Sequence, residues 1–181
     1  MKPIQGYEDA RDFSEIESLP VGPQACVITD VVDHPDKSYL EVKFDIVKGD
    51  YKGWFKSLEQ NIKVWRGVLN RSYKESALGF FKAFITAVEK SNKGYDFVGS
   101  GWNEKSLIGK YVYVNFREEE YLKDGQVKVA VLPFEFRSIE AFNEGKIKNA
   151  PRKCLTEAEL AASVPTTSQS VVEEDDDDLP F

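Results

Sequence analysis

A mainly β domain with one main helix, followed by an acidic C-terminal tail with too little apolar surface to fold on itself, is the fold class this sequence predicts. Three observations predict it. Short runs of two-residue alternation and β-branched residues recur between Ala25 and Arg137. One stretch, Ser72 to Val88, carries helical periodicity. After Pro151 the composition turns to Pro, Ser, Thr and Gln, and then to acid. The chain divides accordingly into an arm (1–20), a domain (21–150), a disordered linker (151–172) and an acidic tip (173–181). No internal repeat is present.

The arm is acidic and weakly patterned, with a helical turn expected at Phe13 to Ile16. Pro20 and Pro23 bracket a turn, and Ala25 to Val32 is a short, apolar, β-branched strand. His34 to Lys37 is a turn. Tyr39 to Val47 alternates, with Leu40, Val42, Phe44 and Ile46 on one face and Tyr39, Glu41, Lys43 and Asp45 on the other. Gly49-Asp50 closes it, and Tyr51 to Ser57 reads as the returning strand of a hairpin.

Ser72-Tyr73-Lys74-Glu75 has the spacing of a capping box. Behind it Ala77, Phe81, Phe84, Ile85 and Val88 share one helical face, with Leu78 and Phe80 at its edges, and Asn92-Lys93-Gly94 ends the helix. In Lys110 to Arg117, Val112, Val114 and Phe116 alternate with Tyr111, Tyr113 and Asn115. Glu118 to Gln126 contains an acidic, glycine-bearing turn, with Glu118-Glu119-Glu120 as a solvated loop. Val127 to Arg137 returns as a strand in which Pro133 implies an edge or a bulge. Short helices are expected at Ser138 to Asn143 and Thr156 to Ala162. Three strands, a helix and two strands fit the five-stranded Greek-key OB barrel, a string shared with several small α+β folds.

The net charge of −7 is segregated. Pro165 to Phe181 holds six acids and no Lys or Arg, leaving the rest of the chain at −1, and Lys37 to Arg117 holds fifteen Lys/Arg against eight Asp/Glu. Several function classes fall away. Cys26 and Cys154 lie far apart and His34 is the sole histidine, so there is no zinc quartet. Two free thiols are expected rather than a disulfide. No secretory signal opens the chain and no stretch approaches the ~18 apolar residues of a membrane span, so a cytoplasmic protein is expected. Gly99 to Ser106 has Glu104 where a phosphate-binding loop needs glycine, and His34 has no nucleophile beside it. No cofactor or metal and no enzymatic activity are expected.

What the basic middle does carry is cations interleaved with aromatic rings. Single-stranded nucleic acid is held by cations that track phosphates and rings that stack on bases. Lys43, Lys48, Tyr51, Lys52, Trp54, Phe55 and Lys56 form one group; Lys63, Trp65, Arg66, Arg71 and Tyr73 a second. Lys110, Tyr111, Tyr113 and Arg117 form a third, in which Tyr111, Tyr113 and Arg117 share one parity of a strand and so one sheet face. With Val112, Val114 and Phe116 in the core, Tyr111 and Tyr113 should be exposed.

The tail Asp175-Asp176-Asp177-Asp178-Leu179-Pro180-Phe181 places a ring and a terminal carboxylate behind four acids. A partner with an apolar pocket and a basic rim suits it. This tip resembles that of bacterial and phage single-stranded-DNA-binding proteins, Asp-Asp-Asp-Ile/Leu-Pro-Phe, and the linker before it is similar to that family's connector. The resemblance implies an OB-fold core, coating of single-stranded DNA in replication, recombination and repair, and recruitment of partner proteins through the tip. It covers Asp175 to Phe181. The body lacks the N-terminal strand motif of the common bacterial members, and its helical region from Trp65 to Val88 is larger. The chain therefore looks like a divergent phage or prophage member, in the host cytoplasm. Homo-oligomerisation stays open, and no base-stacking residue is carried over. Two other readings stay open: an adaptor or decoy that uses the tail without binding DNA, and a DNA-processing enzyme with such a tail.

Overall fold

The computed structural model describes residues 18–63 and 65–161; the acidic tip and most of the arm lie outside them. The alternating runs become five strands: β1 (Gly22–His34), β2 (Tyr39–Ile46), β3 (Val68–Ser72), β4 (Tyr111–Lys123) and β5 (Gln126–Arg137). They form one antiparallel sheet in the order β3-β2-β1-β4-β5. Four helices accompany it: α1 (Trp54–Ile62), α2 (Leu78–Ser91), α3 (Ile139–Asn143) and α4 (Glu157–Ala161). The arrangement is mainly β and consistent with an OB-like fold.

Alternation buries one face as the period dictates: Leu40, Val42, Phe44 and Ile46 from β2, and Val112, Val114 and Phe116 from β4. β1 adds Cys26 and Ile28, then Val31. The change of parity comes from a bulge, since the register slips between Ile28 and Asp30. Phe44 sits at the middle of the core, with its ring 5.6 Å from Phe55, 5.9 Å from Phe136 and 6.4 Å from Phe116.

The sheet is not closed by a backbone ladder. β3 and β5 are its edges, and Arg71 on β3 reaches across to donate to the Phe134 carbonyl on β5 (3.3 Å), its guanidinium 4.9 Å from the centre of the Phe136 ring. Burial pulls its pKa down to about 10 against the favourable field of Glu135.

Tyr51 to Ser57 is not the returning strand. After Tyr51 the chain turns at Gly53, which takes φ +72° where a side chain would be strained, and then enters α1. Asp45 explains why. Although its strand parity suits solvent, it is buried, and its carboxylate accepts from the backbone N–H groups of Ile46 (2.8 Å), Phe55 (3.0 Å) and Lys56 (3.4 Å). It thus caps the first turn of α1 from a neighbouring strand. The returning strand comes later, as β3, entered through Gly67. A Cβ there would lie 2.7 Å from the Phe55 ring, so that residue must be glycine for Phe55 to seat. Asp45→Ala is expected to cost about 2 kcal/mol, because it leaves buried N–H groups unpaired at a helix start. Urea denaturation checks this, and Asp45→Asn should recover part of the loss.

The helix at 72–88 also begins differently. Ser72 belongs to β3; its hydroxyl donates to the Ser38 carbonyl and accepts from the Lys74 N–H, both at 3.2 Å, so no capping box forms. A 3₁₀ turn over Glu75–Ala77 leads into α2, which has no side-chain cap. Its inward face is much as the periodicity requires: Phe84, Ile85, Ala87 and Val88 are buried, Phe81 is half-buried, and Leu78 and Phe80 are exposed. Phe84 packs 4.6 Å from Phe136.

Glu118, Glu119 and Glu120 do not form a loop but continue β4, and the turn narrows to Asp124-Gly125, both at positive φ. Glu119 and Glu120 sit half-buried in the strand with their charges matched: Glu119 pairs with Arg117 (2.9 Å) and Lys153 (3.6 Å), and Glu120 with Arg152 (3.1 Å). Lys153 also bridges β4 in parallel, so the segment expected as linker begins docked on the sheet. β5 is an edge strand with a register shift opposite Asn115 and Phe116, where Pro133 implied one. Ser138 caps α3 by accepting from the Ala141 N–H (3.0 Å). Both cysteines are free, Cys26 buried and Cys154 exposed, and burial pushes the Cys26 thiol up. Among the described residues no helix is long and apolar enough to cross a membrane.

Candidate nucleic-acid interface

The first turn of α1 and the loop that leads to it gather the densest group of the residues singled out above. Hydrogen bonds from Lys52 N to Gly49 O (3.2 Å), Gly53 N to Ile46 O (2.8 Å) and Trp54 N to Tyr51 O (3.1 Å) fold 46–54 into a tight turn. Lys48, Lys52 and Lys56 are therefore held close together and exposed. Tyr51 and Trp54 pack edge to face (5.5 Å) and lie half-buried against the core. Lys63 and Trp65 follow at the far end of α1, with Arg66 exposed. The Trp65 indole donates to the Gly67 carbonyl (3.0 Å), and the Lys63 ammonium donates to Gln60 O (2.9 Å).

Among the described residues, Lys48, Lys52, Lys56, Lys63 and Arg66 make no ion pair. Asp50 and Glu59 are the acids between them, so the segment carries a net positive charge, with the buried Asp45 carboxylate at its helix start. Such cations are available to phosphates in a way that paired ones are not.

The strand register connects this group to Tyr111. Val27 on β1 stands opposite Asp45 of β2 and opposite Tyr111 of β4, so the three share one row and one face. Two strand spacings, about 10 Å, separate Tyr111 from the strand position whose carboxylate starts α1. Tyr111 is 51% exposed. Asn92, just past α2, fixes the backbone beneath it: its side chain accepts from Tyr111 N (3.0 Å) and donates to Tyr111 O (2.8 Å). Beside it, the Lys110 ammonium lies 4.5 Å from the centre of the Tyr95 ring.

The other singled-out residues are engaged elsewhere. Phe55 is 4% exposed, wedged between Phe44 and Phe116, and presents no face to a base. Tyr113 is not exposed as its parity suggested: it is 8% exposed because α3 lays Phe142 flat on it, with ring centres 4.1 Å apart. Lys43 pairs with Asp30 and Glu41 (3.6 Å each). Arg117 is tied to Glu119 and lies 3.9 Å over Phe134, and Arg71 bridges β3 to β5. The Tyr73 hydroxyl donates to Asp33 (2.8 Å), which raises its pKa. Asp175 to Phe181 lie outside the described residues.

Two positioning residues were not visible in the sequence. Asp45 looked like any polar residue of an alternating strand, and Gly67 like an ordinary loop glycine; both matter because α1 is inserted where a strand was expected. Gly99 to Ser106 forms a turn and the start of a 3₁₀ segment capped by Asn103, and does not follow a strand. Among the described residues, no three His, Cys, Asp or Glu side chains are grouped to hold a metal ion. No protein-family model matches the chain, and no curated protein matches it.

Proposed function

We propose that this protein binds single-stranded DNA with little sequence preference, as a non-enzymatic coating protein of replication, recombination and repair, and recruits partner proteins through Asp175 to Phe181. The observation that carries the reading is the cationic turn at Lys48–Lys56, whose lysines make no ion pair among the described residues, interleaved with Tyr51 and Trp54, with exposed Tyr111 two strands from Asp45, which caps α1. Cations at this spacing suit a phosphate backbone, and partly exposed rings beside them suit the stacking of bases. The tip resembles that of single-stranded-DNA-binding proteins. An OB barrel is the architecture we assign. It is supported by β1 pairing with both β2 and β4, by α2 between β3 and β4, and by Arg71 spanning β3 and β5. Most of the affinity then comes from phosphate neutralisation and stacking, with strong dependence on salt.

The test uses the protein's own tryptophans. An oligo(dT) strand, added at low and at moderate salt, should quench their fluorescence, with weaker binding at the higher salt. A duplex of equal length should bind far less. Trp54→Phe should remove most of the quenching, whereas Trp102→Phe, on a different face, should retain it. A folded sample that binds neither strand nor duplex overturns the reading and leaves an adaptor acting through its tail.

A further inference from the structure

A second surface, away from the cationic turn, is unused by this reading. A groove of about 770 Å³ runs between α2, the 95–104 loop and the adjoining ends of β1 and β2. That volume is typical of binding clefts. Phe81, Ile85 and Phe97 line it, and Leu78, Val98 and Trp102 stand exposed along it, Trp102 at 64%. Exposed large apolar side chains gathered along a cleft mark an interaction site. Its charged residues are Asp33, Glu89 and Glu104 against the single Lys82, a net charge of −2. Among the described residues, none of those acids pairs with a cation. An acidic rim repels a phosphate backbone and equally the aspartates of this chain's own tail. It fits an apolar segment carrying lysine.

The chain presents such a segment. At the tip of the β4–β5 hairpin, Tyr121, Val127 and Val129 are exposed. Lys123 and Lys128, against Asp124 alone, make the tip net positive, and Glu119 and Glu120 nearer its base are matched by Arg117, Arg152 and Lys153. β5 is an edge strand there. The tip cannot reach the groove of its own molecule. The groove borders Asp33, near the end of β1, whereas β4 leaves β1 at the Gly22–Phe116 pair and runs on in the opposite direction. Roughly 35 Å of β1 lies between the two, with the hairpin pointing away.

We infer that the β4–β5 hairpin tip of one molecule docks in the groove between α2 and the 95–104 loop of a second copy. Val127 and Val129, on one face of the hairpin, meet Trp102 and Val98 on one wall of the groove, and Lys123 and Lys128, on its other face, meet Asp33, Glu89 and Glu104. Knob and groove lie on different surfaces, so the contact is head-to-tail and a bound molecule still offers its own tip and groove to further copies, in a row or a ring. It stands apart from the DNA reading and is tested without DNA.

Sedimentation equilibrium of the full chain, from micromolar to several hundred micromolar, should show mass growing beyond a dimer. Val129→Asp and Trp102→Ala, each first shown to unfold at the parent temperature, should each weaken association about tenfold or more. Mixed together, the two variants should form a 1:1 complex that stops growing, since one keeps an intact groove and the other an intact tip. A chain that stays monomeric throughout overturns the inference, as does association that both variants leave unchanged. Leu179→Ala with Phe181→Ala abolishing association, where Val129→Asp does not, would give the groove to the tail and overturn it too.

Discussion

Replacing Lys48, Lys52, Lys56 and Arg66 together by glutamine is expected to weaken oligo(dT) binding on the order of 10²- to 10³-fold at roughly 0.1 M salt, since each phosphate contact on a single strand contributes ~0.7 to the slope of log affinity against log salt. The slope itself should fall by about 3. Both changes come from the same cause: four cations without ion-pair partners among the described residues no longer displace counterions. Stability should hardly move, because all four side chains are exposed and hold no part of the core together. The same substitution at Lys43, which is engaged by Asp30 and Glu41, should have a much smaller effect on affinity. Fluorescence titrations at several salt concentrations measure affinity and slope together. An unchanged slope would remove this face from the interface.

Phe55→Ala is the change expected to cost the most stability, about 3–5 kcal/mol for a large aromatic removed from a packed core. Phe55 fills the space between Phe44 and Phe116, and Gly67 has no side chain so that the ring can lie against it. The backbone there cannot collapse onto the vacancy without breaking the bond from Phe44 N to Gly67 O (2.8 Å). At ~2–4 °C per kcal/mol for a domain of this size, the melting temperature should fall by roughly 10–15 °C. Calorimetry checks this. Trp54→Ala, one residue away but half-exposed, separates the two roles: it should lose less stability and more DNA affinity. A Phe55→Ala variant with parent stability and weakened DNA binding would return Phe55 to the interface.

These neighbouring residues show how far the pattern could be read. Strand parity in β2 and β4 and the inward face of α2 follow from periodicity alone, because an apolar residue at the wrong phase would face water. Pro133 carried its own consequence, since a residue without an N–H cannot sit inside a ladder. The clustering of lysines with aromatics over Lys48–Lys56 was legible too, because it is a matter of composition along a short window.

What could not be read depends on partners far away in sequence. Phe55, Lys56 and Trp54 share one composition, and nothing local says that Phe55 turns inward while its neighbours stay out. The same segment reads as a strand because its helical start is capped by Asp45, ten residues back from Phe55 and on another element. Tyr113 has the parity of Tyr111 but is covered by Phe142 from α3. Glu118 to Glu120 look like a solvated loop until Arg117, Arg152 and Lys153 arrive beside them.

By itself, then, the sequence determined the mainly β class, the inward-facing apolar residues of β2 and β4, the segregation of charge and the cluster of cations and aromatics at Lys48–Lys56. Each of these is a property of spacing and composition along a short window. The tertiary structure decided which aromatics reach solvent, that a helix rather than a strand follows β2, and that Tyr111 stands in line with the start of α1. Those depend on strand register, remote capping and covering side chains, interactions between residues that the chain brings together only when it folds.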